Sequence, residues 1–267
     1  MGKRTSYEPG TFSWVELATT DPAAAKEFYG RLFGWQAEDT PMPEGGVYSV
    51  MTLEGENVAA IWEQPEPQRA GRVPPNWFSY VTVAEADAAA ALAKELGGEI
   101  HAGPFDVPGA GRMAVLADPI GAMLGVWEPR ESIGATLVND PGTLTSNELS
   151  TNDIDRAIEF YASLFGWRIA EIDTGGGPRY WTIEHEGAAK GRNGGARELA
   201  PEQTQAGVPP HWMPYFTAAS ATETIATAKQ AGGALLAGPI DIPAGRIAVL
   251  QDPQGAIFAI FEGEVDD

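Results

Sequence analysis

The octapeptide FYGRLFGW, Phe28 to Trp35, returns as FYASLFGW, Phe160 to Trp167, with six of its eight positions identical. The echo extends in both directions. VPPNW at Val73 returns as VPPHW at Val208, and GPFDVP at Gly103 returns as GPIDIP at Gly238. GRMAVLADPIGAMLGVWE, from Gly111, matches GRIAVLQDPQGAIFAIFE, from Gly245, at ten of eighteen positions. The copies stay 132 to 135 residues apart throughout. That period exceeds the ~20–50 residues of solenoid repeats and equals a whole domain of ~100–150 residues. The chain is therefore a duplicated domain, with units expected at residues 10–130 and 143–263. The segment from Pro129 to Gly142 carries Pro, Gly and Asn without apolar periodicity and is expected to be the linker.

The octapeptide closes a helix. Asp21 followed by Pro22 is a helix start, with the aspartate capping and the proline where its missing N–H is harmless. Ala25, Phe28, Tyr29, Leu32 and Phe33 then share one face at helical spacing, and Gly34 ends the run. A strand, Trp14 to Thr19, precedes the helix. Strands at Val47–Leu53 and Val58–Trp62 flank a turn at Gly55. After the paired prolines the pattern starts again, with a strand at Phe78–Val83 and an Ala-rich helix from Glu85 to Leu96. Strands at Met113–Leu116 and Met123–Trp127 follow, joined by the turn at Asp118. The second copy repeats the scheme with helices near Ile154–Phe165 and Thr222–Gln230. The fold class is α+β, built from four βαβββ modules in two pairs, each domain with two main helices and about eight strands.

This arrangement resembles the vicinal oxygen chelate superfamily, the glyoxalase, bleomycin-resistance and dioxygenase type. TTDP before FYGRLFGW, STND before FYASLFGW, and the DPIG and DPQG turns before apolar strands carry the resemblance. It implies that each pair of modules curls an eight-stranded sheet around a cavity, and it fits functions from lyases to drug-binding proteins. The resemblance places metal ligands at Trp14, Phe78 and Gly125 in the first copy and at Ser146, Met213 and Ala259 in the second. None of these side chains donates usefully to a divalent ion. Glu63 and Glu198 could approach the fourth strand's ligand position, but one carboxylate would not hold an ion. His101, His185 and His211 show no ligand spacing. The expectation is no metal and no cofactor.

Counting strand alternation from those positions puts Trp14, Glu16, Phe78, Tyr80, Met123 and Trp127 on the first cavity face. The second face receives Ser146, Glu148, Met213, Tyr215, Ile257 and Phe261. Aromatic rings and thioethers suit a flat aromatic or apolar ligand, although the same side chains would also serve simply to fill a barrel. Glu16 and Glu148 are the catalytic candidates. A carboxylate in an apolar cup can act as general acid or base, or anchor a cationic group, unless it faces water at the mouth. Arg112 and Arg246, at matching strand starts, fit either hairpin ion pairs or recognition of a ligand oxygen.

Composition narrows the partners. The net charge is -20, shared evenly, with 19 acidic against 9 basic residues in 1–135 and 18 against 8 in the remainder. Such a chain is repelled by phosphate backbones and anionic lipid, so neither nucleic acid nor membrane is an expected partner. With no cysteine, thiolate chemistry and disulfides are excluded. There is no apolar leader or spanning segment, so the sequence reads as cytoplasmic. Three functions stay open: a metal-free binding protein for a small aromatic or apolar compound (sequestration, resistance or an accessory role in secondary metabolism), a metal-independent isomerase, lyase or hydroxylase-like enzyme using a cavity glutamate, and an interaction module whose cavities are vestigial. The expected assembly is a monomer that is its own pseudo-dimer, or a weak homodimer.

Overall fold

A computed structural model describes residues 2–42, 45–185 and 192–265. The first module runs β1 (Phe12–Thr19), α1 (Pro22–Phe33), β2 (Gln36–Pro41), β3 (Val47–Leu53) and β4 (Glu56–Glu63). A short helix α2 (Glu66–Ala70) leads to the second, with β5 (Asn76–Thr82), α3 (Ala86–Glu95), β6 (Glu99–Val107), β7 (Gly111–Ala117) and β8 (Met123–Pro129). The second half repeats the series as β9 (Leu144–Thr151), α4 (Ile154–Phe165), β10 (Trp167–Ile172), β11 (Tyr180–His185) and β12 (Arg192–Glu198). It continues with α5 (Pro201–Gln205), β13 (His211–Thr217), α6 (Ala221–Gln230), β14 (Ala234–Ile242), β15 (Gly245–Gln251) and β16 (Ile257–Gly263).

Helix ends follow their sequence signals. The Asp21 carboxylate accepts from the Ala24 amide at 3.0 Å, and Asp153 accepts from Arg156 at 3.2 Å. Gly34 and Gly166 end their helices at φ 79° and 69°, a left-handed conformation that costs glycine little.

Each half forms one eight-stranded sheet, ordered β2-β3-β4-β1-β5-β8-β7-β6 and β10-β11-β12-β9-β13-β16-β15-β14. The modules join where β1 lies antiparallel to β5, with Glu16 opposite Phe78 and Trp14 opposite Tyr80. Outward from that seam, β1 runs parallel to β4 and β5 parallel to β8. The sheets are thus mixed and fit the α+β class.

Alternation divides β1 between two environments. Val15 and Leu17 are fully buried on the helix-bearing face, while Trp14 and Glu16 point to the other. The helix-bearing faces of the two halves meet, α1 against α6 and α3 against α4. One core therefore combines Leu17, Phe28, Tyr29, Trp35 and Ile61 with Phe216, Leu250, Phe258 and Ile260. The other combines Val81, Leu116, Leu124 and Val126 with Phe160, Tyr161, Trp167, Ile183 and Trp212. Both main cores draw mostly on one module of each half, with Trp77 and Leu144 joining the first and Phe12 and Trp212 the second from the adjoining modules.

The expected linker is not a free tether. Ala135, Leu137 and Val138 are buried in the first shared core. Thr136 Oγ1 accepts from the Asn57 amide at 2.9 Å, and Val138 donates to the Gly2 carbonyl at 2.9 Å.

Candidate functional site

Each sheet turns its helix-free face outward, and both carry a glutamate at the module seam. In the first half Glu16 is 9% exposed. Its Oε1 accepts from the Tyr80 hydroxyl and its Oε2 from the Tyr48 hydroxyl, both at 2.9 Å. Tyr48 in turn accepts from the Trp14 indole N–H at 3.0 Å. The Trp62 indole N–H also favours the charged carboxylate but makes no hydrogen bond of ordinary geometry. Burial dominates and raises the Glu16 pKa above its ordinary value, against the opposing pull of the Tyr80, Tyr48 and Trp62 donors. The same burial, reinforced by the glutamate's charge, lifts Tyr48 and Tyr80 well above 10.

Around this carboxylate stand half-buried aromatic rings. Phe78 meets Tyr80 edge-on at 5.2 Å between ring centres. Trp127 is pinned by an N–H bond to the Ser132 carbonyl at 2.9 Å, and Gly111 leaves the room its ring occupies, since a Cβ there would come within 2.5 Å of it. Met123 lies four residues before Trp127 on the same face of β8.

The second half keeps the carboxylate and changes its company. Glu148, 6% exposed, accepts from Arg197 Nε at 3.0 Å and faces the Tyr215 hydroxyl. Burial first, and then the Glu148 charge, raise Tyr215 well above 10. Tyr180 lies across Gly195, where a Cβ would come within 1.9 Å of its hydroxyl. Met213, Tyr215 and Ala259 form a small apolar cluster with Ile247, Val249 and Phe261. Ser146 stands where the first half has Trp14, and Arg197 stands where it has Trp62.

The structure thus groups Trp14, Glu16, Phe78, Tyr80, Met123 and Trp127 on one face and Glu148, Met213, Tyr215 and Phe261 on the other. Arg112 and Arg246 join neither. Arg112 bonds Asp87 on α3 at 2.6 Å and Asp106 at 2.9 Å, and Arg246 bonds Asp241 at 2.7 Å. They are the hairpin ion pairs, because Arg112 alternates with Met113 and so projects toward the helices. Glu63 is engaged by Arg69.

Tyr48, Tyr180, Trp62 and Arg197 escaped the sequence reading. Tyr48 and Tyr180 each follow the octapeptide's final Trp by thirteen residues, and Trp62 and Arg197 each precede the VPP motif's Val by eleven. Aligning the copies through the intervening strands would have found all four.

The inherited metal positions do not fit a metal. Trp14, Phe78, Ser146, Met213 and Ala259 supply no suitable donor, and at Gly125 the Tyr80 ring fills the space, its Cδ1 lying 2.2 Å from the point a Cβ would occupy. Among the described residues no three His, Cys, Asp or Glu side chains cluster as a ligand set.

The sequence model of the glyoxalase/bleomycin resistance protein/dioxygenase superfamily matches residues 11–126 and 143–260, and the chain belongs to that superfamily. It is 44% identical over 264 residues to "Putative glyoxylase CFP32" of Mycobacterium bovis, covering 98% of each chain. It is 35% identical to the anthracycline biosynthesis protein DauV of a Streptomyces species, covering 97% of this chain and 95% of that one. The Mn(II)-bound glyoxalase of Novosphingobium aromaticivorans shares the fold at a TM-score of 0.66 and 15% identity, over 97% of this chain and 84% of the other.

Proposed function

We infer that this chain binds a small aromatic or apolar compound without a metal, in sequestration, in resistance or as an accessory to secondary metabolism. The observation that carries the reading is the replacement of a ligand set by rings: Trp14, Phe78 and Tyr80 occupy or cover the inherited metal positions around Glu16. Burying a flat ligand against such rings gains apolar area and a stacking contribution of ~0.5–1.5 kcal/mol. Likeness to a protein named for anthracycline biosynthesis supports a polycyclic aromatic ligand. The internal pairing of halves supports a monomer, and the acidic composition disfavours nucleic-acid and membrane partners.

One observation favours a second reading. The raised pKa of Glu16 suits a general acid or base, so a metal-independent enzyme would place its proton transfer there.

Calorimetric titration of the intact protein with planar polycyclic aromatics tests the first reading. Saturable binding is expected, weakened by about 1–3 kcal/mol in Trp127→Ala and Phe78→Ala and unchanged in the exposed Ile172→Ala. Absence of any saturable binder would overturn it. Turnover of the bound compound that persists with chelator and vanishes in Glu16→Gln would establish the enzyme instead.

A further inference from the structure

The two glutamates differ in countercharge. Glu148 is paired with Arg197, whose Nη1 also reaches the Gln203 carbonyl oxygen at 3.1 Å, so that face is close to neutral at its centre. Among the described residues, Glu16 meets only neutral donors: Tyr48 from β3, Tyr80 from β5 and, without ordinary bond geometry, Trp62 from β4. Among the described residues, no cationic side chain acts on it. At the strand position where the second half places a guanidinium, the first places an indole.

A buried carboxylate without a cation is costly when charged and is stabilised by any cation that reaches it. It also retains acceptor capacity, because a carboxylate has about four lone-pair sites and two are taken by tyrosines. Trp14, Tyr48, Trp62 and Phe78 surround it with aromatic rings, and an ammonium over the face of such a ring is attracted where an anion is repelled. The field of a chain with net charge -20 acts in the same direction.

We propose that the outward face of the first half is an ammonium-selective site, taking a protonated amine carried on an aromatic or apolar body. Glu16 is the charge partner, and Trp14, Trp62 and Phe78 form the wall. The second half does not share this selectivity, because Arg197 already neutralises Glu148. The proposal rests on the ligand-binding reading above and narrows it to a chemical class.

The test uses three probes with one ring system: 2-(2-naphthyl)ethylamine, 2-(2-naphthyl)ethanol and 3-(2-naphthyl)propanoate, titrated calorimetrically into the intact protein at neutral pH. The amine is expected to bind at least about tenfold more tightly than the alcohol, and the propanoate more weakly than both. In Glu16→Gln the amine's advantage should fall to about twofold or less, while the exposed Ile172→Ala should leave it intact. The comparison of amine with alcohol in the wild type is a readout that does not depend on any variant folding.

Equal affinity of amine and alcohol, or an amine preference that survives in a folded Glu16→Gln protein, would overturn ammonium selectivity while leaving aromatic binding in place. If none of the three probes saturates, aromatic binding fails and this proposal falls with it.

Discussion

The Tyr29 hydroxyl donates to Oδ2 of Asp252 at 3.1 Å, tying the first helix to the last turn inside a seam closed to solvent. Trp77 Nε1 donates to the same hydroxyl at 3.0 Å. The other Asp252 oxygen accepts the amides of Gln254, Gly255 and Ala256 at 3.0, 2.8 and 2.8 Å. The arrangement is mirrored where Trp212 donates to Tyr161 at 2.9 Å and Tyr161 faces Asp118. The aspartate of each half's final turn therefore anchors the opening helix of the other half.

This reciprocity predicts cooperative unfolding. With both main cores shared between halves, calorimetry should show one transition whose calorimetric and van't Hoff enthalpies agree. Tyr29→Phe leaves the Trp77 N–H and an Asp252 oxygen unpaired, at a cost of about 1–3 kcal/mol, and should lower that single midpoint without splitting it. Two resolved transitions would contradict the shared-core account.

Glu16 predicts a pH signature. The folded carboxyl holds its proton to higher pH than the unfolded one, so its contribution to stability is present at acid pH. That contribution is lost as pH rises from the ordinary 4.5 through the raised folded value. Glu16→Gln does not titrate. Thermal melts should therefore show the variant gaining on the wild type between pH 4 and pH 8, with the general repulsion of an acidic chain cancelling in the difference. Parallel profiles would mean that the carboxyl is not desolvated as described.

Gly125 predicts why a ligand set cannot be restored by one substitution. A Cβ there would stand 2.2 Å from the Tyr80 ring, and both Tyr80 and the strands that frame it are buried. Gly125→Glu should displace Tyr80 from Glu16 and cost about 1–3 kcal/mol through overpacking. Neither the wild type nor this variant should retain stoichiometric Zn, Mn, Fe or Ni after dialysis, as read by elemental analysis. A tightly held ion in either would expose a donor set outside the inherited positions.

The sequence made the repeat, the capped helices and the seam strands legible because each carries a local signal: Asp21 before Pro22, Gly34 after Phe33, and alternation through Trp14 to Thr19. It did not reveal β2, whose six residues are all exposed and so show no alternation. Nor did it reveal β6, where pairing with β7 slips around Gly103 and Pro104, a residue with no N–H to give. Both glutamates were visible as a pair. Their difference was not, because Arg197 lies 49 residues beyond Glu148 and reaches it only through the parallel pairing of β9 with β12.

That pairing supplies the remaining prediction. Arg197→Gln leaves Glu148 buried with Tyr215 as its main polar neighbour, so the second half would acquire the cation-free carboxylate that the first half already has. Loss of one partner of a fully buried ion pair costs about 3–5 kcal/mol, and the 27% exposure of the Arg197 side chain reduces that to about 1–3 kcal/mol. Adding Glu148→Gln should recover most of it at neutral pH, because the buried charge is then gone. A double variant as unstable as Arg197→Gln alone would show that the guanidinium acts through its contact with Gln203 on α5, and not by neutralising Glu148.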